Sequence, residues 1–374
     1  MPLRVLITNN RLDWLGGAES FVSDLARGLQ AAGHRVLAYS SAASPRTRSL
    51  DVDPVPVAAD LEHLEFRPDV IHAQHHLDAM TALAYLPGVP ALYHCHGAVW
   101  REWPPRHPRI FRYLAVSETL KERMRIESGI PGDRIDVLPN SVDLSRFREV
   151  RTPPARPTRA LFYNGHHRPG SPTLDAIREA TERAGLRLEV LGFHLGKMTD
   201  RPERALLDYD VVFASGRSAI DAMACGCAVV VLGRNGCGEL VRPENFDSLR
   251  AVNFSSAANR PPPTAEAVME QLTRYDSAQV AVITERLRRE ADSTPMVGRL
   301  INLYERVIDD HGRNPTDPAA EMHAMADYLR QLVPAVKLAD DTQREQDLSL
   351  TKAMAFRELR LHLHRFQMAL ESEP

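Results

Sequence analysis

Residues Asp210–Val231 read DVVFASGRSAIDAMACGCAVVV, two apolar runs joined through a glycine turn and a short helical segment. The runs DVVFAS and CAVVVLG have the continuous apolar character of strands that are buried on both faces. Between them, Ser218–Cys225 is predicted to be a helix. A strand, a helix and a second strand in this order predict a parallel sheet with right-handed crossovers.

The same alternation extends over most of the chain and is interrupted at a proline-rich break. Arg151–Thr158, RTPPARPT, has three prolines and no apolar periodicity, which predicts an extended linker. After residue 260 only helical patterns follow. We therefore predict an α/β protein with a Rossmann-like domain over residues 1–150, a linker over 151–158, a second Rossmann-like domain with closing helices over 159–312, and a helical tail over 313–374.

The composition is that of a globular protein large enough for two cores. The chain has 374 residues, 44% of them hydrophobic. Its 46 basic and 49 acidic residues leave a formal net charge of −3, which argues against nucleic acid as a partner. The start MPLRVLITNN lacks a signal-peptide pattern, and no apolar run is as long as a transmembrane helix. We expect a cytoplasmic protein with at most peripheral contact to the inner membrane surface.

Two glycines separate the first predicted strand from the first predicted helix, in the segment WLGGAESF (Trp14–Phe21). At Gly16 and Gly17 the backbone amides can approach a ligand, and the helix N-terminus adds unpaired N–H donors. A diphosphate fits such a site. A plain turn before a helix is the alternative, because the spacing is not the GxGxxG dinucleotide pattern.

The order of several further segments makes the pattern specific. GGAE is followed by Leu29–Val36, DVIHA, Cys95–Gly97, AVSETLKERM and GIPGDRIDVLPNSVD. This succession resembles the first domain of the family-four retaining glycosyltransferases of the GT-B fold, and Asp210–Val231 is similar to the donor domain of that family. The resemblance implies two Rossmann-like domains with parallel sheets facing across a cleft, which holds a nucleotide-sugar donor.

The resemblance gives roles to three residues of the first domain. It implies that Gly16 and Gly17 lie near the donor phosphates and that His96 lies beside the transferred sugar as the catalytic-site residue. His96 also follows the predicted strand Pro90–Tyr93, at the carboxyl end where open α/β sheets place their ligands. A structural histidine in the core or at a cap is the alternative.

In the second domain, Gly216 gives backbone access at a strand-to-helix turn, and Arg217 adds a positive charge beside the helix that begins at Ser218. An arginine in this place can make two charge-assisted hydrogen bonds to a β-phosphate. The resemblance implies that Asp221 replaces the second glutamate of the family's E-x7-E motif, which accepts hydrogen bonds from the ribose hydroxyls.

The chain departs from the family in two ways. The first glutamate of that motif has no counterpart, because only five residues separate Ser215 from Asp221, and this leaves the contacts to the donor sugar open. The expected Arg/Lys pair is reduced to one arginine in NGHHRPGS. The candidate phosphate-binding cations are Arg168, Lys197 and Arg217, and an exposed surface role is the alternative for each.

No metal and no cofactor besides the nucleotide-sugar substrate are predicted. Asp51–Asp53 and Asp208–Asp210 match the DxD pattern of metal-dependent transferases of another fold, but the second precedes a strand and the first falls in a loop. Cationic side chains and helix dipoles can stabilise the leaving diphosphate instead. The four cysteines lack paired CxxC spacing and are expected to be buried thiols. They are Cys95, Cys225, Cys227 and Cys237.

The acceptor has a weaker signal. Val99–Tyr113, VWREWPPRHPRIFRY, combines two tryptophans with several arginines. Trp100, Arg101 and Trp103 fit an anionic acceptor or a membrane surface, and an exposed loop with docking aromatic residues is the alternative.

Together these observations predict a hexosyl or related glycosyltransferase that moves a sugar from a nucleoside-diphosphate sugar to an unidentified acceptor, with retention implied by the resemblance. A non-catalytic GT-B subunit is one alternative, because the first glutamate is missing. A GT-B nucleotide-sugar epimerase is the other, although no acidic pair near Ser215–Asp221 serves its proton transfers.

The tail carries an apolar row at alternating spacings of three and four residues, the pattern of a coiled-coil seam. The row consists of Phe356, Leu359, Leu363, Phe366 and Leu370. We predict a homodimer held partly by this tail, with help from other parts of the protein because the seam spans only about two heptads. Packing on its own protomer and membrane association are the alternatives.

Overall fold

The computed structural model describes residues 1–12, 16–42, 55–165, 167–233, 236–255 and 264–343. Its first sheet has seven parallel strands. In chain order these are β1 (Arg4–Thr8), β2 (Arg35–Tyr39), β3 (Val57–Ala58), β4 (Val70–Ala73), β5 (Ala91–Cys95), β6 (Ile110–Ala115) and β7 (Ile135–Val137). Their spatial order is β3-β2-β1-β4-β5-β6-β7.

The second sheet has five strands, and only its last strand is antiparallel. In chain order these are β8 (Arg159–Tyr163), β9 (Arg187–Leu191), β10 (Val211–Ala214), β11 (Ala228–Leu232) and β12 (Cys237–Leu240). Their spatial order is β12-β11-β10-β8-β9. The predicted α/β class and the two Rossmann-like domains are confirmed.

Helices connect the strands and cover the sheets. They are α1 (Gly17–Ala31), α2 (His76–Tyr85), α3 (Glu118–Glu127), α4 (Pro172–Arg183), α5 (Pro202–Ala205), α6 (Arg217–Ala224), α7 (Phe246–Ala251), α8 (Ala265–Thr273), α9 (Ser277–Glu290) and α10 (Ser293–Arg313). Polar caps fix several starts. The Ser117 and Ser171 side chains accept hydrogen bonds from backbone amides of α3 and α4, as N-cap serines commonly do.

Each sheet has a point where the strand order reverses. In the first sheet the chain moves outward from β1 through β2 to β3, and then restarts on the other side of β1 with β4. In the second sheet the reversal lies between β8 and β10. Ligands of open α/β sheets bind at the carboxyl ends of strands beside such a reversal. The loops that follow β1, β4, β8 and β10 are therefore the places where we expect a ligand.

The chain crosses between the domains twice, and the two crossing segments are hydrogen-bonded to each other. The Val142 amide donates to the Ala291 carbonyl at 2.8 Å, and the Ser293 amide donates to the Val142 carbonyl at 2.9 Å. Phe147 already packs in the core of the second domain. Residues 151–158 contain no helix or strand, but the Arg151 amide binds the Cys225 carbonyl, so this segment lies against the second domain.

The last long helix returns to the first domain. Leu300, Tyr304 and Val307 of α10 are buried with Val5, Leu25 and Leu92 in the core of the first sheet. This differs from the expectation that all closing helices up to residue 312 belong to the second domain. The periodic apolar stripe predicts a helix correctly, but an apolar stripe fits either core.

The chain divides into a compact unit, Met1–Thr316, and a second unit, Asp317–Pro374. The described part of the second unit is a helix over residues 318–343, here called α11. The predicted seam from Phe356 to Leu370 lies outside the described residues. Within the described parts of the chain, every helix is too short or too polar to cross a bilayer.

Candidate active site

The loop after β1 leads to an accessible helix N-terminus. Gly16 precedes α1 in an extended conformation, and its carbonyl accepts the Ser20 amide at 3.0 Å. A β-carbon added at Gly17 would meet no heavy atom within 4 Å, so there is open space beside the start of this helix. Trp14 lies outside the described residues. The structure thus places Gly16 and Gly17 at the strand reversal of the first sheet.

His96 directly follows β5 and is half-buried. Its Nε2 atom lies 2.5 Å from Oε1 of Gln74, the residue after β4, and its backbone amide donates to Oε2 of Glu102 at 3.0 Å. Burial, and to a smaller extent His94, lower the pKa of His96 well below its ordinary value. A neutral ring whose Nε2 donates to the Gln74 amide oxygen is the consequence.

Two further histidines lie beneath His96, and neither was predicted from the sequence. His94 is buried, with its ring centroid 4.1 Å from that of His96 and 4.9 Å from that of Phe21. His72 on β4 contacts the Tyr304 hydroxyl through Nδ1 at 2.7 Å, and burial lowers its pKa to about 3. For His94 a sequence signal was present, because the alternation in His94-Cys95-His96 puts His94 and His96 on the same face of a strand.

A second polar group missed from the sequence joins three loops of the first domain. Glu102 is buried at the end of a single 3-10 turn, Trp100–Glu102. Its Oε1 accepts a hydrogen bond from Nε2 of His75 at 3.1 Å, while Nδ1 of His75 accepts from the Asn10 amide at 3.1 Å. No sequence pattern pairs a glutamate with a histidine 27 residues away.

The loop after β10 has the conformation that glycine permits. Gly216 has φ +56° and ψ −128°, and an added β-carbon would meet nothing within 4 Å. Its amide donates to the Phe254 carbonyl at 2.7 Å. This loop leads into α6, which begins at Arg217, one residue earlier than predicted. An open helix N-terminus is thus present at the strand reversal of the second sheet as well.

Arg217 differs from the sequence-based expectation of a free phosphate ligand. Its Nη2 donates to Oδ2 of Asp24, on α1 of the first domain, and both side chains are buried. Asp24 also lies 3.1 Å from Nη1 of Arg27 and 3.7 Å from Nη1 of Arg146. These two arginines have further partners, Asp143 at 2.7 Å and Glu203 at 2.8 Å. The group forms an ion-pair network next to the domain crossing.

Asp221 lies in the same network but is less well paired. Its Oδ2 is 3.9 Å from Nε of Arg217, and its Oδ1 is buried without a hydrogen-bond partner among the described residues. Burial raises the pKa of Asp221 to about 6. Ser218 hydrogen-bonds to the Tyr163 side chain. The predicted ribose ligand and the predicted phosphate ligand are therefore brought together, one turn apart on α6.

The other two candidate cations lie in different places. Arg168 is exposed in the loop after β8, at the strand reversal beside β10. Lys197 follows the edge strand β9, where it lines a groove of about 370 Å³ with Arg178 and Glu182 of α4. The strand order puts β8 between this edge and β10. Arg168 is therefore the candidate cation that joins the loop of Arg217, and Lys197 is not.

The predicted acceptor residues follow His96 closely. Trp100 and Trp103 are 55% and 40% exposed, and Arg101 is exposed between them. The Trp100 ring stands edge-on to His76, with centroids 4.6 Å apart. The Trp103 carbonyl accepts from the Tyr93 hydroxyl at 3.2 Å. The two indoles thus sit on a supported backbone next to the His96 loop.

Of the two DxD motifs, Asp208–Asp210 lies among the described residues and has a structural role. Asp210 accepts hydrogen bonds from the amides of Thr158 and Arg159 at 2.7 and 2.8 Å, and from the Arg151 side chain. Asp51–Asp53 lies outside the described residues. In the described parts of the chain, ligand atoms suitable for a metal come together at exposed Asp60, Glu62 and His63, away from the strand reversals. All four cysteines are buried and unpaired, as predicted.

Comparison with known proteins agrees with this geometry. Residues 15–146 match the model of Glycosyltransferase Family 4. None of the curated proteins matches the chain. Among solved structures, a glycosyltransferase from Rickettsia africae is similar over 82% of this chain and 99% of its own, with 14% identity and a TM-score of 0.58.

Two further structures are similar. HepE of Anabaena, solved in complex with UDP-glucose, covers 80% of this chain and 99% of its own, at 15% identity and a TM-score of 0.54. AviGT4, a glycosyltransferase involved in avilamycin A biosynthesis, is similar over 82% of this chain and 98% of its own, at 17% identity and a TM-score of 0.51.

The fold of this chain is therefore GT-B, and its first domain is similar to the family-four glycosyltransferases. The resemblance predicted from the sequence is confirmed. Family match and fold together support a glycosyltransferase.

Proposed function

We propose that the protein transfers a sugar from a nucleoside-diphosphate sugar to an acceptor, with retention and without a metal or other cofactor. The observation that carries this proposal is the meeting of the two domains through α1 and α6. Each helix begins with open space at the strand reversal of its own sheet, and Asp24 of one helix contacts Arg217 of the other. Helix N-termini are suited to phosphate groups.

The donor diphosphate would bind between the starts of these helices. Arg217 uses Nη2 for Asp24 and its Nε is buried, so Nη1 is the nitrogen that would donate to a phosphate. Arg168 adds an exposed positive charge from the loop after β8. Such fixed donors stabilise the charge that develops on a departing diphosphate. The ribose hydroxyls would donate to the Asp221 carboxylate, which has one oxygen without a described partner.

The sugar and the acceptor belong on the side of the first domain. His96 would contact the donor sugar, and Trp100, Arg101 and Trp103 would hold an acceptor that is anionic or attached to a membrane. We further propose that the protein works in the cytoplasm and that its tail contributes to a homodimer.

Binding and turnover are tested separately. A panel of nucleotide sugars that begins with UDP-glucose should raise the melting temperature, because a ligand at 100 times its dissociation constant stabilises the native state by about 2.7 kcal/mol. The donor that binds should then release its nucleoside diphosphate slowly in water and faster with the right acceptor. Binding without release would favour a non-catalytic GT-B subunit, an alternative that the missing glutamate supports. No binding by any donor would contradict the proposal.

Arg168→Ala gives the sharpest test of the diphosphate site, because an exposed side chain can be removed with little effect on folding. It should weaken UDP or the corresponding diphosphate by about tenfold, the effect of losing a charged hydrogen bond. Arg178→Ala, an exposed arginine on α4, is the control and should leave the affinity unchanged.

A further inference from the structure

Glu102 is placed to control the geometry of His96. The two oxygens of its buried carboxylate serve different loops: Oε2 accepts the His96 amide at 3.0 Å and Oε1 accepts from His75 at 3.1 Å. We propose that Glu102 and His75 form a positioning pair that holds His96 against the donor sugar. The inference rests on the proposed transfer of a sugar.

The hydrogen bonds define one protonation state for the pair. Since Nδ1 of His75 accepts from the Asn10 amide, the ring proton must be on Nε2, from which it donates to Glu102. Burial raises the pKa of the Glu102 carboxyl, whereas its hydrogen bonds with His75 and with the His96 amide act in the opposite direction, and this pKa lies below its ordinary value. The hydrogen bonds thus place the proton of His75 on Nε2, facing the Glu102 carboxylate.

The backbone supports a functional role. His75 has φ +54° and ψ 110° at the start of α2, a conformation that costs free energy for a residue with a β-carbon and is frequent near active sites. Its bonds to Asn10 and Glu102 hold it there. The neighbouring Gln74 is fixed at the same turn, and it contacts the His96 ring.

Glu102 and His75 therefore fix both parts of His96. Glu102 binds the His96 backbone amide directly, and His75 positions the His96 ring through its neighbour Gln74. The pair also ties His96 to the Trp100–Glu102 turn, which carries the proposed acceptor residues. An acceptor that moves this turn would move the His96 amide with it. Misplacement of a reacting group by about 1 Å can cost about a hundredfold in rate.

Two substitutions of His75 separate the two bonds. The glutamine amide in His75→Gln reaches the position of Nε2 and keeps the bond to Glu102, whereas the shorter amide in His75→Asn reaches the position of Nδ1 and keeps only the bond to Asn10. We expect His75→Gln to keep kcat within about threefold and His75→Asn to lower it by at least about tenfold, with donor KM nearly constant in both. Equal kcat values, or the reverse order, would overturn the proposal.

Glu102→Gln is the complementary variant. A neutral amide offers one acceptor and one donor to two N–H groups, so one of the two bonds must be lost. We expect kcat to fall by about tenfold or more, with Glu65→Gln, an exposed glutamate, as the unaffected control. A Glu102→Gln protein that stays folded and keeps the wild-type kcat would contradict the positioning role.

A readout that needs no turnover separates this inference from the proposed function. In ¹⁵N NMR spectra of histidine-labelled protein, Nδ1 of His75 should have the shift of an unprotonated nitrogen and Nε2 that of a protonated one. A protonated Nδ1 refutes the pair even if sugar transfer is found. Conversely, a wild-type protein that binds and transfers no donor sugar refutes the proposed function, whatever the state of His75.

Discussion

Asp24 on α1 and Arg217 at the start of α6 form a buried ion pair that joins the first domain to the second. Asp24 and Arg217 are 193 positions apart in the sequence. Two further arginines, Arg27 and Arg146, lie near the same Asp24 carboxylate. The ion pair therefore couples the relative position of the domains to the proposed diphosphate site. Arg217 serves folding as well as binding, so its substitution will affect both.

The coupling between these two residues is measurable. Removing one partner of a buried pair leaves an uncompensated charge and typically costs about 3–5 kcal/mol. We expect Asp24→Ala and Arg217→Ala each to lower the free energy of unfolding, and the double variant to lose less than their sum by about 1–3 kcal/mol. Urea unfolding provides the four values.

The control cycle uses Arg4 and Asp69, a partly exposed pair within the first domain. Its coupling should be small, because water screens the charges of an exposed pair. If the Asp24–Arg217 cycle gives no more than this control, the ion pair is not a significant link between the domains.

His96→Ala should reduce turnover strongly while leaving the affinity for the free nucleoside diphosphate within about threefold. The reason is its position: His96 follows β5 beside Gln74 and Glu102, whereas the proposed phosphate-binding cations, Arg168 and Arg217, follow β8 and β10. Kinetics and calorimetry with the same protein give both quantities. His63→Ala, on an exposed histidine, is the control, and an active His96→Ala protein would make His96 a structural residue.

Asp221 should make stability depend on pH in a defined direction. Burial raises its pKa from 3.8 to about 6, so the native protein holds this proton more tightly than the unfolded chain. The stabilisation is complete below the unfolded value and is lost as the pH rises through about 6. Asp221→Asn, which removes the charge, should therefore stabilise the protein relative to wild type by about 1–2 kcal/mol more at pH 8 than at pH 5.

The same variant tests the ribose contact. Asp221→Asn should weaken nucleotide binding at pH 8, where the wild-type carboxylate is ionised, and should weaken it less at pH 5. An unchanged affinity at both values would remove Asp221 from the nucleotide site while leaving the stability prediction intact.

Activity should survive dialysis against EDTA, because the proposed diphosphate ligands are arginines and helix N-termini. Asp210 already accepts hydrogen bonds from two backbone amides and Arg151. A loss of activity that magnesium or manganese restores would instead support a metal-dependent reaction.

Removal of the tail should convert a dimer into a monomer. Because α10 extends to Arg313 and the first compact unit ends at Thr316, the chain should be cut after Thr316 to leave this unit intact. Light scattering at micromolar concentration gives the mass of both proteins. A full-length protein that is already monomeric, or a shortened one that remains dimeric, contradicts the prediction.

Local patterns in the sequence identified the fold and many of its elements. The helix Glu118–Glu127 lies in the segment AVSETLKERM, where a serine cap and a helical stripe are both local signals. The strand predicted as Pro90–Tyr93 extends to Cys95. The predicted strand ended at Tyr93 because the next residue, His94, is polar. In the structure His94 packs against Phe21 and remains in the strand.

Contacts between distant residues were not predictable in this way. Arg217 was identified as a cation at a helix start, but its partner Asp24 belongs to another domain, and periodicity carries no information about such a pair. The same holds for Glu102 and His75. The sequence thus indicates which loops form the candidate site, while the hydrogen bonds that orient their side chains are set by tertiary packing.

The return of α10 to the first sheet has a consequence for the order in which the protein folds during synthesis. The core of the second domain is complete once Ala291 has been made. The core of the first domain still lacks Leu300, Tyr304 and Val307 at that moment. Domains usually fold in order from the N-terminus as the ribosome releases them. Here the first domain encoded is the last to close, and its unfinished apolar surface must be protected from aggregation until α10 emerges.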